Sequence, residues 1–595
     1  MLMRGLTNRE IALLEEQGCS AEDWSEVLVD EDFDTNRVRN VDFYGHVEIG
    51  SLVGTVGMEE GFVRRCGVRN AVLHNVTIGD GCLVENVKGY LSNYDIGERC
   101  LVSNIGILAV QGATNFGNGN LVAVLNEGGD GNVVVYDGLT AQLAWLMLHN
   151  KDVREMALRE AADRNPAGRG LVGDRSRIVN AKEITNCVVG RACEVQGASR
   201  LSNVTVLSTD DAPTYIGTDV IIENSVVANG ATVTDGAKVS NSFIGESVHV
   251  GKGFSSESSL FFANSHMENG EACAALCGPF SASHHKSTLL IGGMFSFYNA
   301  GSATNQSNHA YKMGPIHWGT LERGSKTASG CHILWPAHIG AFSMAMGKIS
   351  THPKVRNLPF SYVIASGETT WLVPAVNLRT VGTWRDVGKW PKRDHRPVSA
   401  RRDIIDFAFP NPYIIQSVVE GRQILRRLVE EQGENVEEYT YGNCLIKKSA
   451  LVRGISIYDI AIRLFIHSVL QKNEGALSSS EPVADGEWVD MCGMLTPKCE
   501  IDRLESDIAS GAIGGTDEIL SILKLIQRDY QKNALAYAVS LMQNEAGSLF
   551  IDEDYWRREG EEAHSWWLNM VRNDAEREFE LGDVEEEQLR KFLNF

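Results

Sequence analysis

The stretch LHNVTIGDGCLVENVKGYLSNYDIGERCLVSN, Leu73 to Asn104, says the same thing twice. Asn75 returns as Asn93, Asn86 as Asn104 and Cys82 as Cys100, each time after the same interval. Around them an aliphatic residue recurs at about every sixth position and is often followed by glycine: VTIG and YDIG here, VEIG before, and CVVG, TYIG and SFIG further on. The Asn phrase also returns downstream, in SNVTVL, ENSVV, SNSFIG and ANSHM, and the step from Asn186 to Asn203 equals that from Asn224 to Asn241. A fixed short period identifies a solenoid, in which each turn buries its apolar side only by stacking on the next. A period near 18, divided into sixes, predicts a triangular β-coil with aliphatic side chains inward and small residues at the corners. Asn residues in register hydrogen-bond from coil to coil and satisfy amides that would otherwise be buried unpaired. A sandwich of alternating strands and turns would not keep that phase.

The pattern breaks near residue 107. LVAVLNEGGDGNVVVYDG reads as a hairpin turning at Gly128 to Gly131, and LTAQLAWLMLHNKDVREMALREAADRN has helical periodicity. The coil phrases resume near Ile184 and are gone after about residue 400, where IIQSVVEGRQILRRLVEEQG and TDEILSILKLIQRDYQKNALAYAVSLM are amphipathic helices. The expected fold is therefore mainly β: a parallel β-helix with a helical insertion and an α-helical C-terminal region. Its expected parts are an N-terminal helical cap over 1–39, β-helix over 40–106, hairpin and helices over 107–175, β-helix again over 176–398, and helices over 399–595. Thr7 and Glu10 predict a capping box on a helix ending at Gly18, and acidic residues interrupt this N-terminus where a signal peptide would be apolar. ISIYDIAIRLFIHSVL carries Asp459 and Arg463, and reads as a core helix, not a membrane span.

The chain has 595 residues and a formal net charge of −22, which argues against non-specific nucleic-acid binding. Twelve cysteines spread along it suit a reducing cytoplasm. One stretch opposes the overall charge: Arg379 to Arg402 holds eight basic and two acidic residues, with Trp384 and Trp390 among them. It reads either as a solvated connector or as a grip on phosphate.

HHKSTLLIGGMFSFYNAGSATNQSN, His284 to Asn308, is poor in charge and rich in small polar side chains around a histidine pair. A neutral imidazole is the usual general base near neutral pH. From His285 the residues follow H-x(13)-N-x-G-x(2)-T-x(3)-N, carried by His285, Asn299, Gly301, Thr304 and Asn308. Together with SGCHILWPAHIG, Ser329 to Gly340, this resembles the left-handed β-helix (hexapeptide-repeat) acyltransferases, in particular the acetyltransferase half of the bacterial bifunctional glucosamine-1-phosphate acetyltransferases/uridyltransferases. The gap between the two blocks is slightly longer here, and the likeness is confined to this part of the chain. It implies left-handed winding, a homotrimer with sites between subunits, acetyl-CoA or another acyl-CoA as co-substrate, and a sugar, sugar phosphate or nucleotide sugar as acceptor. It implies His285 as the base, Asn308 beside it in catalysis, and Asn299, Thr304 and Lys312 against the acceptor. Ser329 would meet the coenzyme, with Lys326 and Arg323 as nearby cationic candidates. Ser255 and Cys273 stand where that family has the Arg and Lys that hold the acceptor phosphate, and no nucleotidyltransferase loop is present. The chain as a whole resembles an uncharacterised bacterial family known only as a domain of unknown function.

No metal is expected. Cys273, Cys277, His284 and His285 have a poor structural-zinc spacing. His309, His317, His332 and His338 enrich the same region in imidazole, which leaves a metal-dependent hydrolase or hydratase as an alternative. A non-catalytic nucleotide-sugar-binding scaffold is another.

Overall fold

The computed structural model describes residues 3–164, 168–307, 318–473, 486–581 and 587. Parallel coils stack from Ser20–Ala21 to Tyr362–Ser366, so the solenoid begins before residue 40. In the first coils long strands such as Val38–Ile49 and Gly67–Ile78 bend across two faces, and from Thr232 onward a coil has three short strands, each paired in parallel with its counterpart on the next coil. The first face runs through Thr232–Val233, His249–Gly251 and His266–Glu268. The second runs through Lys238–Ser240, Ser255–Glu257 and Glu271–Cys273. The third runs through Phe243–Ile244, Leu260–Phe261 and Leu276–Cys277.

The Asn columns do what their spacing predicts. Asn75 donates to Asn93 at 3.2 Å, Asn70 to Asn86 at 2.9 Å and Asn203 to Asn224 at 3.0 Å. The structure adds a backbone reason for the choice of residue. Asn70, Asn75, Asn86, Asn93, Asn203 and Asn224 all have positive φ, a conformation that Asn tolerates better than most side chains. A separate corner is filled by small thiols and hydroxyls that bond to the next coil: Cys82 Sγ to the Gly97 carbonyl at 2.9 Å, Cys100 to Gly173 at 3.2 Å and Ser176 to Gly190 at 2.7 Å. The regular recurrence of cysteine is thus a corner-packing signal. All twelve cysteines are free thiols.

The predicted capping box at Thr7 and Glu10 caps helix α1, Asn8–Glu16. The insertion leaves the solenoid after the strand Ile107–Ala109 and returns at Gly170–Val172. It holds the antiparallel pair Asn120–Val122 and Val133–Val135, then helices α2, Ala141–His149, and α3, Lys151–Ala162. These pack on the third face, whose outward residues Val226, Phe243, Leu260 and Leu276 join a second apolar core. The first core fills the inside of the coils.

After the last coil, residues 376–411 cross the solenoid as a strap that contains α4, Val381–Lys389. Helices α5, Pro412–Gln432, and α6, Lys448–Lys472, follow, then α7, Lys498–Ala509, α8, Thr516–Arg528, α9, Tyr530–Ala546, and α10, Glu553–Leu581. The run around Asp459 and Arg463 is a helix buried along much of its length, as expected. Among the described residues, no helix is long and apolar enough to cross a membrane.

Candidate functional site

The strap is fastened to the solenoid by ionic groups taken out of water. Arg396 is 4% exposed. Its guanidinium meets Asp394 at 2.9 Å and Glu246 at 3.0 Å, and donates to the Asp403 carbonyl at 2.8 Å. Asn264, on a positive-φ corner of the solenoid, donates to Asp394 at 2.9 Å and accepts from the His395 amide at 3.0 Å. Burial, and then the charge of Asp403, pushes the Glu246 carboxyl up to about 7. The basic stretch is therefore partly an internal clamp. Its aromatic anchor is Trp390, which is buried with its ring 4.8 Å from that of Phe297.

Between strap and first face lies a cleft of about 660 Å³. His249, His266, His284 and Asn299 line it from the solenoid, and Lys389 and Arg393 from the strap. Alternation along a strand explains the first two. His266 and Glu268 point out while Met267 between them points into the core, and the coil register sets His249 directly beside His266. The two rings are 4.6 Å apart, and His284 follows 5.8 Å from His266. Nε2 of His249 and Nε2 of His266 each lie 3.2 Å from the same Glu268 oxygen, Oε1. Lys252 Nζ holds the other oxygen, Oε2, at 2.7 Å. Burial opposes the charge on Glu268, yet the hydrogen bonds from Lys252 and His266 leave its pKa below the ordinary value. Burial first, then the neighbouring imidazoles, lowers the pKa of both His249 and His284, so each is neutral at pH 7. Lys326 from the solenoid and Lys389 from the strap converge on the buried carboxylate of Asp386 in the strap, Lys389 at 2.5 Å. Burial opposes that charge too, and the two ammonium groups hold it below the carboxylate range.

The residues singled out from the sequence separate into groups. His285 is exposed at the corner after the strand Ala282–Ser283, with its ring 4.5 Å from that of His284. The two histidines lie past the end of that short strand, so they do not take opposite sheet faces as strand residues would. Ser329 is exposed, bonded to Ser302 at 3.0 Å. Asn299 sits in register between Ala282 and Lys326 and lines the cleft. Thr304 is fully buried and shares a 2.8 Å hydrogen bond with Thr327 inside the coils. Arg323 is 3% exposed, ion-paired with Asp490 at 2.7 Å and stacked 4.3 Å over the Phe297 ring. Asn308, Lys312, His309 and His317 lie outside the described residues. His338 meets Glu322 at 2.6 Å on the third face, away from the cleft. Cys277 is buried in the core and Cys273 half-buried.

His249, His266 and Glu268 escaped the reading of the sequence. Their signal is present nonetheless: His249 is followed by His266 at the same interval that separates Asn224 from Asn241. Read in that phase, H-x(16)-H-x-E stacks two imidazoles and a carboxylate on adjacent coils.

Residues 3–429 match the family model described as Domain of unknown function (DUF4954). The chain belongs to this family. The matched span takes in the whole solenoid, the insertion, the strap and most of α5, so cleft and clamp both lie within the DUF4954 region. Residues 471–583 match a second model, Domain of unknown function (DUF6819), over the helices from α7 onward. An uncharacterized protein of Treponema pallidum (strain Nichols) is 26% identical over 247 residues, which is 39% of this chain and 34% of that protein. The chain thus spans about a third of that relative's length.

Proposed function

We propose that this DUF4954 protein is an acyltransferase that moves an acyl group from a coenzyme A thioester to an amine or hydroxyl of an anionic sugar or sugar phosphate. The observation that carries the reading is the cleft beside His284 and His285, where an acidic chain gathers Lys252, Lys389 and Arg393 around a row of imidazoles. The cleft sets three cations, Lys252, Lys389 and Arg393, against the two carboxylates Glu268 and Asp386, and this excess in a chain of net charge −22 favours an anionic acceptor. The resemblance of the His285 and Ser329 blocks to hexapeptide acyltransferases supplies the reaction class, and with it left-handed winding and a homotrimer. Free thiols throughout fit a cytoplasmic enzyme.

In this reading His285 takes the proton from the acceptor nitrogen or oxygen as that atom attacks the thioester carbonyl. The carbon–sulfur bond then breaks, and the departing thiolate takes the proton back from the imidazolium. Asn299 orients the acceptor, Ser329 meets the thioester side, and Lys389 and Arg393 hold the anionic group. The test is release of coenzyme A thiol from acetyl-CoA with glucosamine 1-phosphate and related sugar phosphates as acceptors. His285→Ala should fold and lose about 10²–10⁴-fold in turnover. Acceptor-independent release, or a rate unchanged in His285→Ala, defeats the reading. Light scattering that returns a monomer mass defeats the trimer.

A further inference from the structure

We propose that His249, His266 and Glu268 form a binding site for one divalent transition-metal ion of the zinc class. The donor atoms are His249 Nε2, His266 Nε2 and a Glu268 oxygen, and all lie within 4.8 Å of one another. Two of the three separations, from each imidazole nitrogen to Oε1, are 3.2 Å. Ligands about 2.0–2.1 Å from a tetrahedral zinc ion stand roughly 3.3 Å apart, the edge of such a tetrahedron. These two donor distances are therefore already close to those of a loaded site, and two imidazoles with one carboxylate suit zinc, iron, cobalt or nickel better than magnesium or calcium.

The surroundings support the ligands. Lys252 fixes the far oxygen of Glu268 at 2.7 Å and so aims the near one, the kind of outer contact that orients metal-bound carboxylates. The position in register with Glu268 on the preceding coil is Gly251. A Cβ there would stand 3.0 Å from His249 Nε2, so the bare backbone leaves the donor nitrogen free to fold toward Glu268. Three protein ligands leave coordination open toward the cleft, which Arg393 and the Asp386-bound Lys389 line on the strap side. The proposed role of the ion rests on the acyl-transfer reading: it holds the anionic group of the acceptor one coil from His284. The binding site itself does not rest on that reading.

The test uses the full-length protein with any affinity tag removed and the exposed Cys499 replaced by serine in every sample. Protein stripped with chelator is titrated with zinc, with metal content read by mass spectrometry, and with cobalt, read by ligand-field absorption in the visible. The proposal expects one ion per chain and a cobalt spectrum of nitrogen and oxygen ligation. His266→Ala and Glu268→Gln should each weaken binding at least about 100-fold, and Lys252→Ala about 10-fold, as for loss of an outer contact. His285→Ala should bind metal as the parent does, which separates failure of the metal site from failure of the acyl-transfer reading. No stoichiometric uptake by the parent overturns the proposal. So does uptake that His266→Ala and Glu268→Gln leave unchanged, or a cobalt spectrum dominated by thiolate.

Discussion

The first and third faces of the solenoid are built on one plan and used in opposite ways. Outward residues on the third face read Val226, Phe243, Leu260, Leu276 and Met294 through successive coils. On the first face the matching column reads Thr232, His249, His266, Ala282 and Asn299. The third face is sealed under the insertion and the C-terminal helices by apolar packing. Over the first, a strap is clamped at its edges by buried ions and leaves a cleft beneath. The inward residues hold the coils together in either case, so the outward column is free to differ. The covered third face fills it with aliphatic and aromatic groups, whereas the first face, along the cleft, carries mostly polar groups, two of them histidines.

The two covers should fail differently. The largest effect is expected from the clamp. Arg396→Met leaves Glu246 and Asp394 buried without their cation, at a cost of about 3–5 kcal/mol. A lowered urea midpoint and tryptic cleavage within the strap would register it, and a strap as protease-resistant as the parent's would contradict it. On the third face, Leu260→Ala empties a fully buried position, for about 2–4 kcal/mol. The same truncation on the first face, His266→Ala, removes a half-exposed ring and should move the stability read from urea unfolding by less than about 0.5 kcal/mol.

The first-face cover should respond to pH. Glu246 has its folded pKa raised to about 7, above its unfolded value, so the folded protein binds the extra proton. Its contribution is present at acid pH and lost as pH rises through 7, about 1.4 kcal/mol between pH 6 and 8. Glu246→Gln should flatten that slope, while Leu260→Ala should leave it as in the parent. A further effect is expected in the Asn column: Asn75→Ala removes the donor to Asn93 and the acceptor for the His46 amide, two coil-to-coil hydrogen bonds, and should cost about 1–3 kcal/mol in urea unfolding.

Most of the architecture was legible because a coil writes its geometry as a period. Asn75 with Asn93, and Cys82 with Cys100, reveal the coil, and the loss of phase at residue 107 reveals the insertion. The alternation that gives three faces was legible as well. What lies over each face was not. The clamp joins Arg396 to Glu246 across 150 positions of sequence, and no local pattern announces such a pair. Thr304 shows the opposite difficulty. Its motif spacing suggested a ligand contact, but its hydroxyl turns into the core toward Thr327. Arg323 looked like a free cation and is held by Asp490, which the chain supplies 167 residues later. His249 and His266 were legible in principle, because the period that aligns the Asn columns aligns them too.

The proposed function implies a division of labour in which the first face works while the third face only holds. It is tested most directly by one paired measurement: the rate of coenzyme A thiol release per folded molecule, set against the urea midpoint, for His285→Ala and Leu260→Ala. A crossed result is expected. His285→Ala keeps the parent's midpoint and loses about 10²–10⁴-fold in rate, and Leu260→Ala loses stability but keeps the rate per folded molecule. Rates that fall together with the midpoints in both variants, or a His285→Ala rate equal to the parent's, would contradict it.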